Sequence, residues 1–177
     1  MRLVFGILVF CVSVYGYSYT ELLRDYEAKN YEKVCSNGSV FLIKNDKNEN
    51  ILTAIGDACA KIDAINPLGN VVKNLISTPE NRESGSYFAT LVLQKKLIYQ
   101  FMHDGINLKE LRLPRTEHVL SRVFEELAKG NYTTKENKVE IVTPAMDYLL
   151  WLSNDEPKKV YVDELKNGQL ILRHWYL

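Results

Sequence analysis

Val160-Tyr161-Val162-Asp163-Glu164-Leu165 and Gln169-Leu170-Ile171-Leu172-Arg173-His174-Trp175-Tyr176 are both rich in β-branched, aromatic and other large apolar residues. Asn167-Gly168 lies between them. Both central residues of a type I′ turn need positive φ, and Asn-Gly meets that need at least strain. The stretch therefore predicts a β-hairpin over about residues 159–176. A lone hairpin is marginal in water, so it must pack on other elements or recruit a third strand. Val139 to Val142 is the short segment that could supply one.

Upstream the pattern turns helical. Thr143-Pro144 reads as a cap followed by proline, opening a helix through Leu149, Leu150 and Leu152 to Ser153. Thr116 reads as the cap of a helix carrying Val119, Leu120, Val123, Phe124 and Leu127 and stopping at Gly130, with 131–137 a loop. Tyr87 to Asp104 is the longest apolar-periodic segment, with Phe88, Leu91, Val92, Leu97, Ile98 and Phe101 on its stripe. Pro79 to Ser86 reads as a polar loop. Asn66-Pro67 opens a helix carrying Leu68, Val71, Val72, Leu75 and Ile76. Further helices are expected from Thr20 to Asn30, from Tyr31 with a break at Ser36-Asn37-Gly38-Ser39, and from Ile51 to Ile65. The expected fold is mainly α: antiparallel helical hairpins or an irregular bundle over about 20–153, with a small C-terminal β-hairpin.

At the other end, Arg2 is the only charge before Glu21, Leu3 to Val14 is apolar except for Gly6 and Ser13, and Gly16 and Ser18 are small. That order is the n-, h- and c-region of a secretory signal peptide over residues 1–18. The apolar run of about 12 residues is short of the roughly 20 that a spanning helix needs. Cleavage fits after Gly16 or after Ser18, the second slightly preferred. Residues 19–177 then form a single globular domain, exported to the periplasm of a Gram-negative host or otherwise secreted, with no stable membrane anchor expected after cleavage.

The full chain carries 22 Lys plus Arg against 22 Asp plus Glu, and 46% hydrophobic residues. That apolar content is enough for a core, and losing Arg2 leaves a balance of −1. Such a balance gives no pull toward nucleic acid. Lys95-Lys96 and Lys158-Lys159 read as ordinary solvated pairs. Cys11 leaves with the leader, so Cys35 and Cys59 remain. Two thiols in an oxidising compartment pair, closing about 24 residues for ~3 kcal/mol on the chain-entropy estimate.

Leu22, Leu23 and Tyr26, then Asn30-Tyr31 and Cys35, followed by Leu52, Ile55, Gly56, Cys59 and Pro79, form two units in phase at about 33 residues. This third of the chain resembles tetratricopeptide-type helical repeats, whose period is about 34. Gly56 falls where that family has its helix-packing glycine. Leu23 stands where the family has glycine, and the first unit lacks its closing proline. The resemblance implies stacked helical hairpins, and it places Cys35 and Cys59 on neighbouring helices.

No motif of established chemistry is present: no phosphate loop, nucleophile elbow or metal-ligating His and Cys spacing. No catalytic, metal or cofactor-binding residue is therefore assigned. His103-Asp104 reads as a helix end, Glu117-His118 as a first helical turn, and His174 as a structural or surface residue beside Trp175. Eleven tyrosines are present, and Tyr with Trp is enriched at binding surfaces. Tyr161, Trp175 and Tyr176 on the hairpin form the candidate binding patch. The expectation is an exported, non-enzymatic protein-binding or assembly module of the cell envelope, with a protein partner. Two alternatives stay open: an envelope enzyme acting on peptidoglycan or a sugar, and a secreted effector or surface factor.

Overall fold

The computed structural model describes residues 17–44 and 46–177, so the expected leader lies outside it except for Tyr17 and Ser18. Among the described residues six helices precede a five-stranded sheet: α1 Tyr19–Glu27, α2 Tyr31–Ile43, α3 Glu49–Lys61, α4 Leu68–Val72, α5 Pro79–Asp104, α6 Val119–Lys129, β1 Thr133–Lys135, β2 Lys138–Ile141, β3 Asp147–Leu152, β4 Val160–Lys166 and β5 Gln169–Tyr176. All strand pairs are antiparallel, in the order β1-β2-β3-β4-β5. This corrects the mainly α expectation: the fold is mixed α and β, and the hairpin is one end of a five-stranded meander.

The largest difference is β3. Thr143-Pro144 does not open a helix; Thr143 closes a tight turn instead. Its hydroxyl takes the Met146 N–H at 3.1 Å, and its own N–H goes to Asp147 Oδ1 at 3.2 Å. The residues beyond, Tyr148-Leu149-Leu150-Trp151-Leu152, are an unbroken apolar run, which periodicity cannot separate from a buried helix. Tyr148 and Leu150 point inward and are buried, while Leu149 and Trp151 point outward. Bracketed by β2 and β4, the run is a central strand. β2 is the short strand expected over Val139 to Val142, and only β1 was hidden, for another reason. Their turn uses Glu136 and Asn137, with φ of 50° and 63°, so the positive-φ pair lacks the glycine that marks the β4–β5 turn.

The helices also extend past the expected breaks. α2 runs through Ser36-Asn37-Gly38-Ser39, and its Gly38 packs against Ile55 of α3, where an added Cβ would collide. α5 begins at Pro79, not Tyr87: Thr78 accepts the Asn81 N–H at 3.2 Å, with proline in the first turn. Gly85 belongs to that helix and lets it close on Leu75, whose backbone oxygen would lie 3.4 Å from an added Cβ. Gly56 of α3 packs directly under the Phe88 ring of α5. Cys35 and Cys59 are disulfide-bonded with their Cα atoms 4.9 Å apart, joining α2 to α3. Among the described residues no helix is long and apolar enough to cross a membrane.

The core is continuous from helices to sheet. Leu52, Ile55, Leu91, Ile98, Leu120 and Leu127 fill the helical part, and Ile141, Leu150, Val160 and Val162 line the inner sheet face. α5 reaches that face at β3. Its Tyr99 hydroxyl donates to the Lys158 carbonyl at 3.0 Å, just ahead of β4.

Candidate functional site

The corner between α3 and α4 meets the end of the sheet around one carboxylate. α3 closes in a Schellman motif: the Ala64 N–H bonds the Cys59 carbonyl at 2.9 Å, and the Asp63 N–H bonds that of Ala60 at 3.1 Å. The residue after such a cap adopts the left-handed conformation and is usually glycine. Here it is Asp63, at φ 64°. The conformation aims the carboxylate at three donors from elsewhere in the chain. His118 Nε2 lies 3.1 Å from Oδ1, His174 Nδ1 lies 2.7 Å from Oδ2, and the Tyr176 hydroxyl donates at 2.8 Å. The other ring nitrogen of His174 lies 2.8 Å from Glu164 Oε1.

These contacts fix protonation. His118 precedes α6, and its Nδ1 accepts the Leu120 N–H at 3.2 Å, so its proton sits on Nε2 and is donated to Asp63. His174 has a carboxylate at each nitrogen, an arrangement satisfied by the doubly protonated ring. Burial opposes that charge, but the bonds to Asp63 and Glu164 outweigh it and hold His174 above its ordinary value of 6.5. Burial likewise pushes Asp63 up, yet its bonds to His118, His174 and Tyr176 leave it below 3.8. Burial, followed by the Asp63 charge, drives the Tyr176 phenol far above 10.

The cluster has no donor or acceptor left for a substrate at His174, and Asp63 already takes three donors. Among the described residues no three His, Cys, Asp or Glu groups converge on a point that a metal ion would occupy. Its chemistry is that of a joint: it ties the α3 corner, the start of α6, β4 and β5 together.

Beside this joint a cleft of about 600 Å³ runs between residues 61–67 and residues 172–177 at the end of β5, with Lys95 of α5 also lining it. Lys95 is 3% exposed, so the reading of Lys95-Lys96 as a solvated pair is corrected for its first member. The signal was present in the spacing. Leu91, Lys95 and Ile98 lie on one helical face, and both neighbours are buried. Asn66, expected as a helix cap, instead accepts a hydrogen bond from the Lys95 ammonium. Burial, and secondarily the charge of Lys96, lowers Lys95 from 10.5 to about 8.

The opposite sheet face carries aromatic residues. Trp151 of β3, Tyr161 of β4 and Trp175 of β5 are successive partners in the strand register. Trp151 and Tyr161 stack at 4.2 Å. Arg173 lies over both rings, and its guanidinium grips Asp163 at 2.6 and 2.8 Å. Lys159 lies 5.0 Å from the Trp175 ring centre. Of the three residues of the expected patch, Tyr161 and Trp175 share this outer face. Tyr176 points the other way, is buried, and belongs to the Asp63 joint.

β5 is an edge strand. It pairs with β4, and among the described residues no backbone hydrogen bond joins its far side to another element. Leu170, Ile171 and Leu172 are 51, 57 and 52% exposed, beside a register shift opposite Glu164 and Leu165. The joint was not read from the sequence. His118 and His174 each looked isolated, and Asp63 fell inside the helix expected from Ile51 to Ile65, which ends at Lys61. Comparison with protein-family models, curated proteins and solved structures returns no match for this chain.

Proposed function

We propose that this chain is an exported, non-enzymatic binding module that takes up an extended segment of a protein partner along the outer edge of β5. The observation that carries the reading is the exposure of three consecutive apolar residues, Leu170-Ile171-Leu172, on an edge strand. Proteins ordinarily protect such edges with charge, proline or a covering loop, because bare backbone donors and acceptors recruit another strand. A partner strand added there would gain main-chain hydrogen bonds along β5 and apolar contact with these side chains. The saturated Asp63 joint supports binding over catalysis, since its histidines are committed to internal bonds. The Cys35–Cys59 bond supports an oxidising destination, periplasmic or extracellular.

The test is selection of short extended peptides on the immobilised protein, repeated on Ile171→Lys, with sedimentation of the protein alone. Peptides that bind the native protein, lose binding to Ile171→Lys and slow amide exchange in β5 support the proposal. Selection of none, or equal binding to both proteins, overturns it. Self-association abolished by Ile171→Lys overturns it too, by assigning the edge to a second copy of the chain.

A further inference from the structure

Lys95 is a buried cation whose one bonded partner is a neutral amide oxygen, that of Asn66. An ammonium has three N–H donors, so two directions remain beyond that bond. The groups that influence it are its own burial and the like charge of Lys96, with no carboxylate among them. Keeping such a charge out of water without a counter-ion is costly, and its depressed pKa expresses that cost.

The surroundings do not explain the lysine as structure. An apolar side chain at this position would complete the stripe made by Leu91 and Ile98. What the lysine adds is a positive charge lining the cleft. The other charged side chains deep in the cleft are engaged elsewhere: Asp63 by His118, His174 and Tyr176, His174 by Asp63 and Glu164, Lys61 by Asp57, and Arg173 by Asp163. Glu32, at the rim, is exposed. Ile65, Pro67 and Leu172 supply apolar wall, and the volume of about 600 Å³ is that of a small-molecule site.

We propose that this cleft binds a small organic carboxylate with an apolar body, its carboxylate bonded to the Lys95 ammonium and its body lying along Ile65, Pro67 and Leu172. One buried positive charge matches one negative charge. A phosphate dianion would leave an excess charge in the same apolar surroundings, and a neutral ligand would leave the lysine without its counter-ion. This site shares Leu172 with the exposed run on β5 but not Ile171, so Ile171→Lys tells the two proposals apart.

The experiment compares 4-phenylbutyrate with its neutral amide by calorimetry on the full folded domain, with NMR of the lysine side chains. At pH 7 the carboxylate should bind roughly ten-fold or more tighter than the amide, the difference expected for a charged hydrogen bond. At pH 8.5 its binding should be accompanied by proton uptake, because the bound anion raises the Lys95 pKa. Lys95→Met nearly keeps the side-chain length and removes a buried charge, so it is expected to fold; it should abolish both the preference and the proton uptake. Ile171→Lys should leave both unchanged. Equal affinity for acid and amide, a preference that survives in Lys95→Met, or no binding of either at millimolar concentration would each overturn the assignment.

Discussion

Asp63 and His174, 111 positions apart in the chain, meet at 2.7 Å between the α3 corner and the last strand. The contact depends on a backbone conformation that an aspartate adopts at a cost. An L-residue at φ 64° is strained by roughly 1 kcal/mol relative to glycine. The strain is offset by three hydrogen bonds to the carboxylate, so backbone and side chain act in opposite senses at one residue.

Three substitutions separate those effects. Asp63→Ala keeps the strain and loses the bonds, and should destabilise by about 3 kcal/mol. Asp63→Gly loses the bonds but relieves the strain, and should be less destabilised than the alanine variant by ~1 kcal/mol. Asp63→Asn keeps the shape but removes the charge facing His174, and should fall between the native protein and Asp63→Ala. Urea denaturation measures all three; glycine and alanine variants of equal stability would show that the backbone is not strained there.

The joint also sets a pH window. His174 is held above its ordinary 6.5 in the fold, so its contribution is complete below about pH 6.5 and is lost as pH rises through the raised value. Asp63 is held below 3.8, so its contribution is present above about that pH and is lost as pH falls through the lowered value. Tyr176 stays protonated across this range. The stability difference between the native protein and His174→Gln should therefore be largest between about pH 4 and 6.5 and shrink on both sides. Urea midpoints across pH test this, and a difference that grows above pH 7 would contradict it.

The elements read well from sequence were those whose signals are local. The Asn167-Gly168 turn, the α6 stripe and the αL glycine at 130 each depend on neighbours within a turn or two. β3 was lost because an apolar run between two paired strands looks the same as a buried helix until its neighbours are known. Lys95 was legible in principle, since its spacing from Leu91 and Ile98 put it on the buried face. The joint was not: its members come from positions 63, 118, 164, 174 and 176, and only the folded meander brings them together.

Close packing at Gly56 makes a second stability prediction. A Cβ there would overlap the Phe88 ring, which is 2% exposed and cannot swing into solvent. Gly56→Ala should destabilise by about 1–3 kcal/mol, the usual cost of overpacking, despite the better helix propensity of alanine. The double variant with Phe88→Leu should recover part of the loss. If Gly56→Ala is as stable as the native protein, the two helices have room that their packing does not show.

The start of α1 predicts where the expected leader is removed. Ser18 caps this helix in a reciprocal box: the Glu21 N–H bonds the Ser18 hydroxyl at 3.3 Å, and the Ser18 N–H bonds the Glu21 carboxylate at 2.9 Å. Tyr17 adds a bond from its hydroxyl to the buried Asp25 at 2.9 Å. Cleavage after Ser18 would discard both residues and put a new ammonium at the positive end of the helix dipole, where it is unfavourable. Cleavage after Gly16 keeps them. We therefore expect the exported protein to begin at Tyr17, and Ser18→Ala to lower its melting temperature by a few degrees. Intact-mass analysis of the exported protein decides the first point; a chain beginning at Tyr19 would show that the domain holds α1 without its cap.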